Sequence, residues 1–280
     1  MDLYDVMMKR RSIRNYTADP VPEHIIDKLI DAANNAPSGG NIQPLSIILV
    51  KDADNRKELC KIIGDQPWVR NAPLSMIFCL DFFRAKKWAA MLDTPFKGDS
   101  ALAHCLIAYA DIMCSAQNVV LLAEDLGLGT VYIGTIQNNI DAARAYFEIP
   151  RYVLPVMVLS IGYPKSRPKT IPKLKREVIT HRERYEIPRD EDIRKSFDDK
   201  YGSFDDNIEK YLEKAFIEAV EADKQQGKNK IELIKKEMAR LELKNHAQFL
   251  FKLRYPADTM VQLNEQIIRS IKNAGFNFFS

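Results

Sequence analysis

Apolar residues recur at helical spacing in PEHIIDKLIDAANNA (22–36), where Ile25, Ile26, Leu29, Ile30 and Ala33 share a face and Pro37 stops the run. LSIILVK (45–51) and LSMIFCL (74–80) are instead short, dense and β-branched, and predict buried strands. Near-continuous apolar strands fit a sheet covered by helices on both faces. Between them ADNRKELCKII (53–63) has the pattern of an amphipathic helix. AHCLIAYADIMCSAQNVVLLAEDL (103–126) is apolar almost all round, which predicts a helix buried in the domain centre or against a second subunit. TVYIG (130–134) and VLPVMVLSIG (153–162) add two strands. After Gly162 the stretch YPKSRPKTIPKLKREVITHRERYEIPRDEDIRK is rich in Pro, Lys and Arg and poor in apolar periodicity. It predicts a long extended excursion, of a length that is usually functional or wraps a partner. Beyond it, 206–224, 229–253 and 257–274 have helical patterning. The expected architecture is α+β: a core of central sheet and flanking helices over 1–185, then a helical C-terminal extension over 186–280.

Composition adds exclusions. Apolar residues make up 46% and charged residues 28% of the 280, the proportions of an ordinary globular chain of one large or two small domains. The 41 basic and 38 acidic side chains leave a net charge of +3, too balanced to predict a nucleic-acid or membrane partner. There is no run of eighteen apolar residues free of charge, so no transmembrane helix is expected. MDLYDVMMKRRSIRNY has acidic residues and no continuous apolar core, unlike a secretory leader, and a cytoplasmic location is expected. Cys60, Cys79, Cys105 and Cys114 form no CxxC pair and sit among apolar neighbours, as small buried hydrophobes do in a reducing compartment. His24, His104, His181 and His246 are scattered, so no metal site is expected.

Four stretches carry candidate chemistry, and none holds a nucleophile or an acid–base pair. Arg10, Arg11, Ser12 and Arg14 place three guanidinium groups and a hydroxyl within five residues, a set that matches phosphate oxygens. Pro37-Ser38-Gly39-Gly40-Asn41-Ile42-Gln43-Pro44 joins a helix to a strand with glycines for close approach and carboxamides for hydrogen bonding. Gly127–Thr135 is a glycine-punctuated strand without the spacing of a P-loop or a dinucleotide fingerprint. The fourth is the basic run of Lys165, Arg167, Lys169, Lys173, Lys175 and Arg176. Taken singly, each also fits a solvated turn or charged surface.

In combination the four resemble the nitroreductase family of flavin-dependent oxidoreductases, in the family's order across residues 1–185: RRSIRNY, APSGGNIQP, GLGTVYIGTIQNN, then GYP and a basic stretch ending in His181 and Tyr185. Gln66 in GDQPWV places it near the larger NAD(P)H:flavin and nitro reductases. The resemblance implies an intertwined homodimer with FMN at the interface and NADPH or NADH as electron donor. It also implies a ping-pong two-electron transfer to a small nitroaromatic, quinone or flavin acceptor. By the same resemblance Arg10, Arg11, Ser12 and Arg14 hold phosphate, ribityl or pyrimidine edge. Ser38, Asn41 and Gln43 come from the partner subunit, and Gln66 lies beside the ring. Tyr132, Ile133, Gly134 and Thr135 pass under it, with a backbone N–H near Gly134 toward flavin N5. Of the family's two usual basic ligands, one falls on Ile171 and the other on Lys173, with Lys169 or Lys175 able to reach in. A non-catalytic flavin binder, reductive dehalogenation and flavin fragmentation are the alternatives. The tail, with Ala274, Gly275, Phe276, Phe278 and Phe279, is expected to brace the core or to close over the flavin.

Overall fold

Among the described residues of the computed structural model, 2–204 and 224–278, four strands form one antiparallel sheet in the order β1–β2–β4–β3. They are β1 (Leu45–Val50), β2 (Leu74–Asp81), β3 (Gly129–Ile133) and β4 (Val153–Gly162). Both central strands are buried along their whole length, so neither shows alternation in its sequence. The two faces are nonetheless distinct. Leu74, Met76, Phe78 and Leu80 pack with α2 (Glu23–Asn34) and α6 (Leu102–Asp125). Ile77 and Cys79 point the other way, to α3 (Ala53–Ile62), α4 (Pro67–Asn71) and α7 (Ile140–Tyr146). The register shifts between Phe78 and Cys79, which face Met157 and Pro155, so Val156 is an extra residue on β4. That bulge is where a strand admits proline.

Helix α6 is long and apolar enough to cross a membrane, although no charge-free run predicted it. Its length is used inside the fold. Ile112, Ala116, Val119, Val120 and Ala123 are buried in the core, while Leu102, Leu106 and Ile107 near its start are exposed. Helix α1 (Leu3–Lys9) packs on α6 and leaves Leu3, Tyr4, Met7 and Met8 exposed. The chain then runs beside the outer edge of β3. Ile13 N–H donates to Thr130 O at 2.9 Å and Thr17 N–H to Tyr163 O at 2.8 Å. A Cβ on Gly129 would lie 2.5 Å from Ile13 Cγ1, so the strap and β3 approach as closely as glycine permits. The buried Tyr16 hydroxyl donates to Ile13 O at 2.7 Å, and burial pushes its pKa well above the ordinary phenol value.

The helices expected over 22–36, 53–63 and 103–126 are present; α4, α5 (Phe83–Met91) and α7 are additional, each of at most nine residues. The excursion after Gly162 is extended only to Lys175, giving way to helices at Arg176–Ile179 and Asp190–Tyr201. The second has no buried residue. It is supported by Asp190, Glu191 and Asp192 in its first turn and by the Arg189–Asp192 and Arg194–Asp198 pairs. The helix expected over 206–224 lies, but for its last residue, outside the described residues. The one expected over 229–253 is divided into Lys224–Arg240, a short turn at His246–Gln248 capped by Asn245, and a π-helical turn at Phe249–Arg254. Cys60, Cys79 and Cys105 are buried, and burial pushes the Cys79 and Cys105 thiols up to about 12. Cys114, by contrast with its apolar sequence context, is exposed on α6.

The chain forms two compact units, Met1–Pro168 with Leu263–Ser280, and Lys169–Gln262. The first differs from the division expected at residue 185, because the end of the chain returns to the core. The helix Asn264–Asn273 packs on α7, with Ser270 Oγ donating to Asp141 at 2.8 Å. Phe276 is fully buried, with its ring 5.9 Å from Phe82. Tyr152 N–H donates to Ala274 O at 2.7 Å. Gly275, at φ +97°, leaves no room for a side chain against Arg151. Of the two expected roles for the tail, its described part has the packing of a brace. In the second unit, the buried His246 lies between Tyr201 and Phe204, 5.3 and 5.2 Å from their ring centres.

Candidate functional site

The first group of expected site residues gathers along β3. Arg10 follows the C-terminus of α1. Arg11 donates from Nη1 to Pro168 O at 2.8 Å and from Nε to Lys9 O at 2.9 Å. Ser12 pairs with Thr130 in a short parallel bridge, and the Arg14 guanidinium lies 5.5 Å above the Trp68 ring. Burial pushes the Tyr132 phenol up to about 12, with the charge of Arg10 pulling the other way; its hydroxyl donates to Gln117 at 3.2 Å. At the end of β3 the chain tightens into a 3-10 turn, Gly134–Asn139. There Gln66 Nε2 donates to Thr135 Oγ1 at 2.8 Å and to Ile63 O at 3.2 Å, so the carboxamide nitrogen is engaged inward. Gly134 is exposed, and a Cβ there would meet nothing closer than 3.9 Å. Ile133, however, is buried in the core beside α3 and α7. Strand alternation turns its side chain away, so only its backbone can serve a ligand.

The second group lies at the other edge of the sheet, in the loop before β1. Gln43 N–H donates to Ser38 Oγ at 2.9 Å, and Gln43 Nε2 to Asn34 Oδ1 at 3.1 Å. Asn41 is exposed. The loop borders a cleft of about 390 Å³ lined by Asn34, Ser38, Gln43, Arg84, Trp88 and Asp111. Strands β2 and β4 separate β1 from β3, three strand spacings of about 4.8 Å. One chain therefore does not bring Ser38, Asn41 and Gln43 to Arg10, Ser12 and Arg14.

The basic stretch is used unevenly. Arg167 pairs with the buried Glu124, and Lys175 pairs with Asp199 at 2.6 Å. Lys169 and Lys173 are exposed in the second compact unit. Trp68, Gln117, Asp111 and Arg84 were not foreseen. Trp68 stands two residues from Gln66, which is the only signal the sequence holds for it, and the other three meet their partners from distant elements.

The chain is similar to known proteins over most of its length. The sequence model of the nitroreductase family matches residues 7–163. An "FMN reductase [NAD(P)H]" of Bacillus subtilis is 37% identical over 176 residues, 62% of this chain and 71% of that protein. An "Oxygen-insensitive NADPH nitroreductase" of Salmonella typhimurium is 32% identical over 200 residues, 71% of this chain and 81% of that one. The solved structure of the "hypothetical oxidoreductase YcnD" from Bacillus subtilis superposes with a TM-score of 0.76 at 28% identity, covering 99% of this chain and 98% of its own. With the family model matching more than half of its length, the chain belongs to the nitroreductase family.

Proposed function

We propose that the chain is an FMN-dependent oxidoreductase that takes electrons from NADPH or NADH and passes them to a small acceptor such as a nitroaromatic, a quinone or a free flavin. The observation that carries this is the convergence of Arg10, Ser12, Arg14, Gln66 and Thr135 at the β3 edge of a nitroreductase-family chain.

The residues fit the group. A phosphate dianion needs cations and donors close together, and Arg10, Arg11, Ser12 and Arg14 supply them from five residues. Arg11 keeps donors to offer, since only two of its five N–H groups are bonded to Lys9 and Pro168. A flat ring needs backbone without side-chain obstruction, which the open face at Gly134 provides. Its polar edge needs an oriented carboxamide, and Thr135 and Ile63 O fix that of Gln66. Bound FMN supplies the hydride chemistry, which explains why the motifs contain no nucleophile or acid–base pair. The protein's part is to hold the ring, leave one face open to donor and acceptor in turn, and place fixed dipoles at the ring edge. A shared face makes the reaction ping-pong. Lys169 and Lys173 remain, by the family resemblance, the candidate basic ligands of FMN.

The site is completed by a second copy of the chain. The groups at β1 and β3 are on opposite edges, so two chains are needed to join them. Exposed Leu3, Tyr4, Met7 and Met8 on α1 and Leu102, Leu106 and Ile107 on α6 form an apolar surface across two packed helices, suited to such a partner. Purified protein is expected to be yellow, or to take up FMN, and to sediment as a dimer with an interface above ~2,000 Å². Anaerobic NADPH or NADH is expected to bleach the flavin. Bound FMN that neither nucleotide reduces would mark a binder instead of an enzyme, and a flavin-loaded monomer would overturn the two-chain site.

A further inference from the structure

The loop that carries Ser38, Asn41 and Gln43 closes on itself through the Gln43 N–H to Ser38 Oγ bond, yet its backbone is strained. Gly40, Asn41 and Gln43 have φ of 58°, 53° and 52°, in the left-handed region that only glycine enters freely. The loop is largely exposed, so burial gives little compensation. Its ends are instead gripped by two charged side chains that belong to no motif. Asp111, in the middle of α6, accepts the Gly39 N–H on Oδ2 at 3.0 Å. Arg84, from α5, donates to Gln43 O at 3.1 Å and to Leu45 O, bridging the far end of the loop to the start of β1. Its other arm bonds Asp81 Oδ2 and Ser46 Oγ, both at 2.8 Å. Asp81 is itself buried and also accepts from Ser46 Oγ at 2.6 Å. The anchor behind Arg84 is therefore fixed in the sheet.

We propose that Asp111 and Arg84 are positioning residues for the flavin site. They clamp both ends of loop 38–43 and present its hydroxyl and carboxamides already shaped to the cofactor of the partner subunit. This rests on the reading of the chain as an FMN-binding dimer. Charge-assisted bonds to backbone groups suit the task, because they fix a main-chain path without occupying the face offered to a ligand. Among the described residues, the Asp111 carboxylate has no hydrogen-bond partner other than this loop. Strained backbone held from outside is a feature that clusters at ligand clamps.

The test uses the full-length protein, stripped of flavin and retitrated with FMN, with the melting temperature of the flavin-free form measured alongside. Asp111→Ala is expected to weaken FMN binding tenfold or more while the flavin-free melting temperature stays within a few degrees of wild type. Asp111→Asn keeps an oxygen that accepts from Gly39 and is expected to bind within threefold of wild type. Arg84→Lys keeps the charge beside Asp81 but cannot bridge two carbonyls with a planar fork. It is expected to lose threefold or more in affinity at unchanged stability, and it decides the matter if Asp111→Ala does not fold. Wild-type affinity in both Asp111→Ala and Arg84→Lys would overturn the proposal. So would equal damage from Asp111→Asn and Asp111→Ala, or losses matched by a fall in melting temperature. A wild-type protein with no affinity for FMN would instead overturn the reading beneath it.

Discussion

Replacing Phe276 by alanine is expected to cost about 3–5 kcal/mol, the range for removing a large aromatic from a packed core. Phe276 is fully buried and packs with its ring tilted against Phe82, which in turn meets Phe96 with its ring centre 5.5 Å away. The loss does not stop at one side chain. Ala274 O accepts from Tyr152, and Asn277 N–H donates to Asp99 O at 3.0 Å, so the segment stitches α5, β4 and the approach to α6 together. Asp99 is also held by Lys86 at 2.7 Å, whose ammonium lies 4.3 Å above the Tyr152 ring. Against a whole-domain stability of about 5–15 kcal/mol, the substitution removes a large share. Chemical denaturation of Phe276→Ala would show a lowered midpoint, and deletion of 264–280 a still larger fall. A midpoint within error of wild type in both would mean that the tail contributes no stability. A truncated protein that stays folded but changes its preference between bulky and small acceptors would restore the role of a closing lid.

The second large effect is at the strap beside β3. Arg10→Ala and Arg14→Ala are each expected to weaken FMN binding tenfold or more. A hydrogen bond to a charged group contributes about 1.5–3 kcal/mol, and about 1.4 kcal/mol corresponds to one decade of affinity. The two should differ in their side effects. Arg14 also covers the Trp68 ring, so its loss loosens the neighbourhood of Gln66, whereas Arg10 acts on Tyr132 through its charge. Flavin content and dissociation constant report both. Unchanged values in the two variants would remove the phosphate from this strap.

Much of this was legible in the sequence wherever a segment is long and its burial one-sided or complete. Helices α2, α3 and α6 and all four strands were readable from periodicity, because their apolar residues are there to be buried. Helices α4, α5 and α7 were not, since two turns carry too little periodicity to register. The helix Asp190–Tyr201 escaped for another reason. Charge pairs support it and no apolar face does, so a reading based on hydrophobic spacing passes over it. Within the site, the arginine strap and the Tyr132–Thr135 turn were recognisable because motif residues adjacent in sequence remain adjacent in space. The family resemblance puts Ile133 under the ring, and the two-residue repeat of a strand sends its side chain into the core, leaving its backbone for that role. Asp111 meets Gly39 across 72 positions and Arg84 meets Gln43 across 41, distances at which local patterning carries no signal.

The strand order makes damage to this protein divisible. In the proposed dimer, with the arginine strap at β3 as phosphate site and the carboxamide loop at β1, each chain would contribute one half to each of two sites. A population carrying only Arg14→Ala would lose the first half of both sites, and one carrying only Asn41→Ala the second half of both. Dissociated, mixed and reassociated, the two would form hybrids in which every lesion falls on one site and the other is wholly intact. Such mixtures should recover up to half the flavin capacity per hybrid, although neither parent has it. Genetically, two defective alleles in one cell would complement each other.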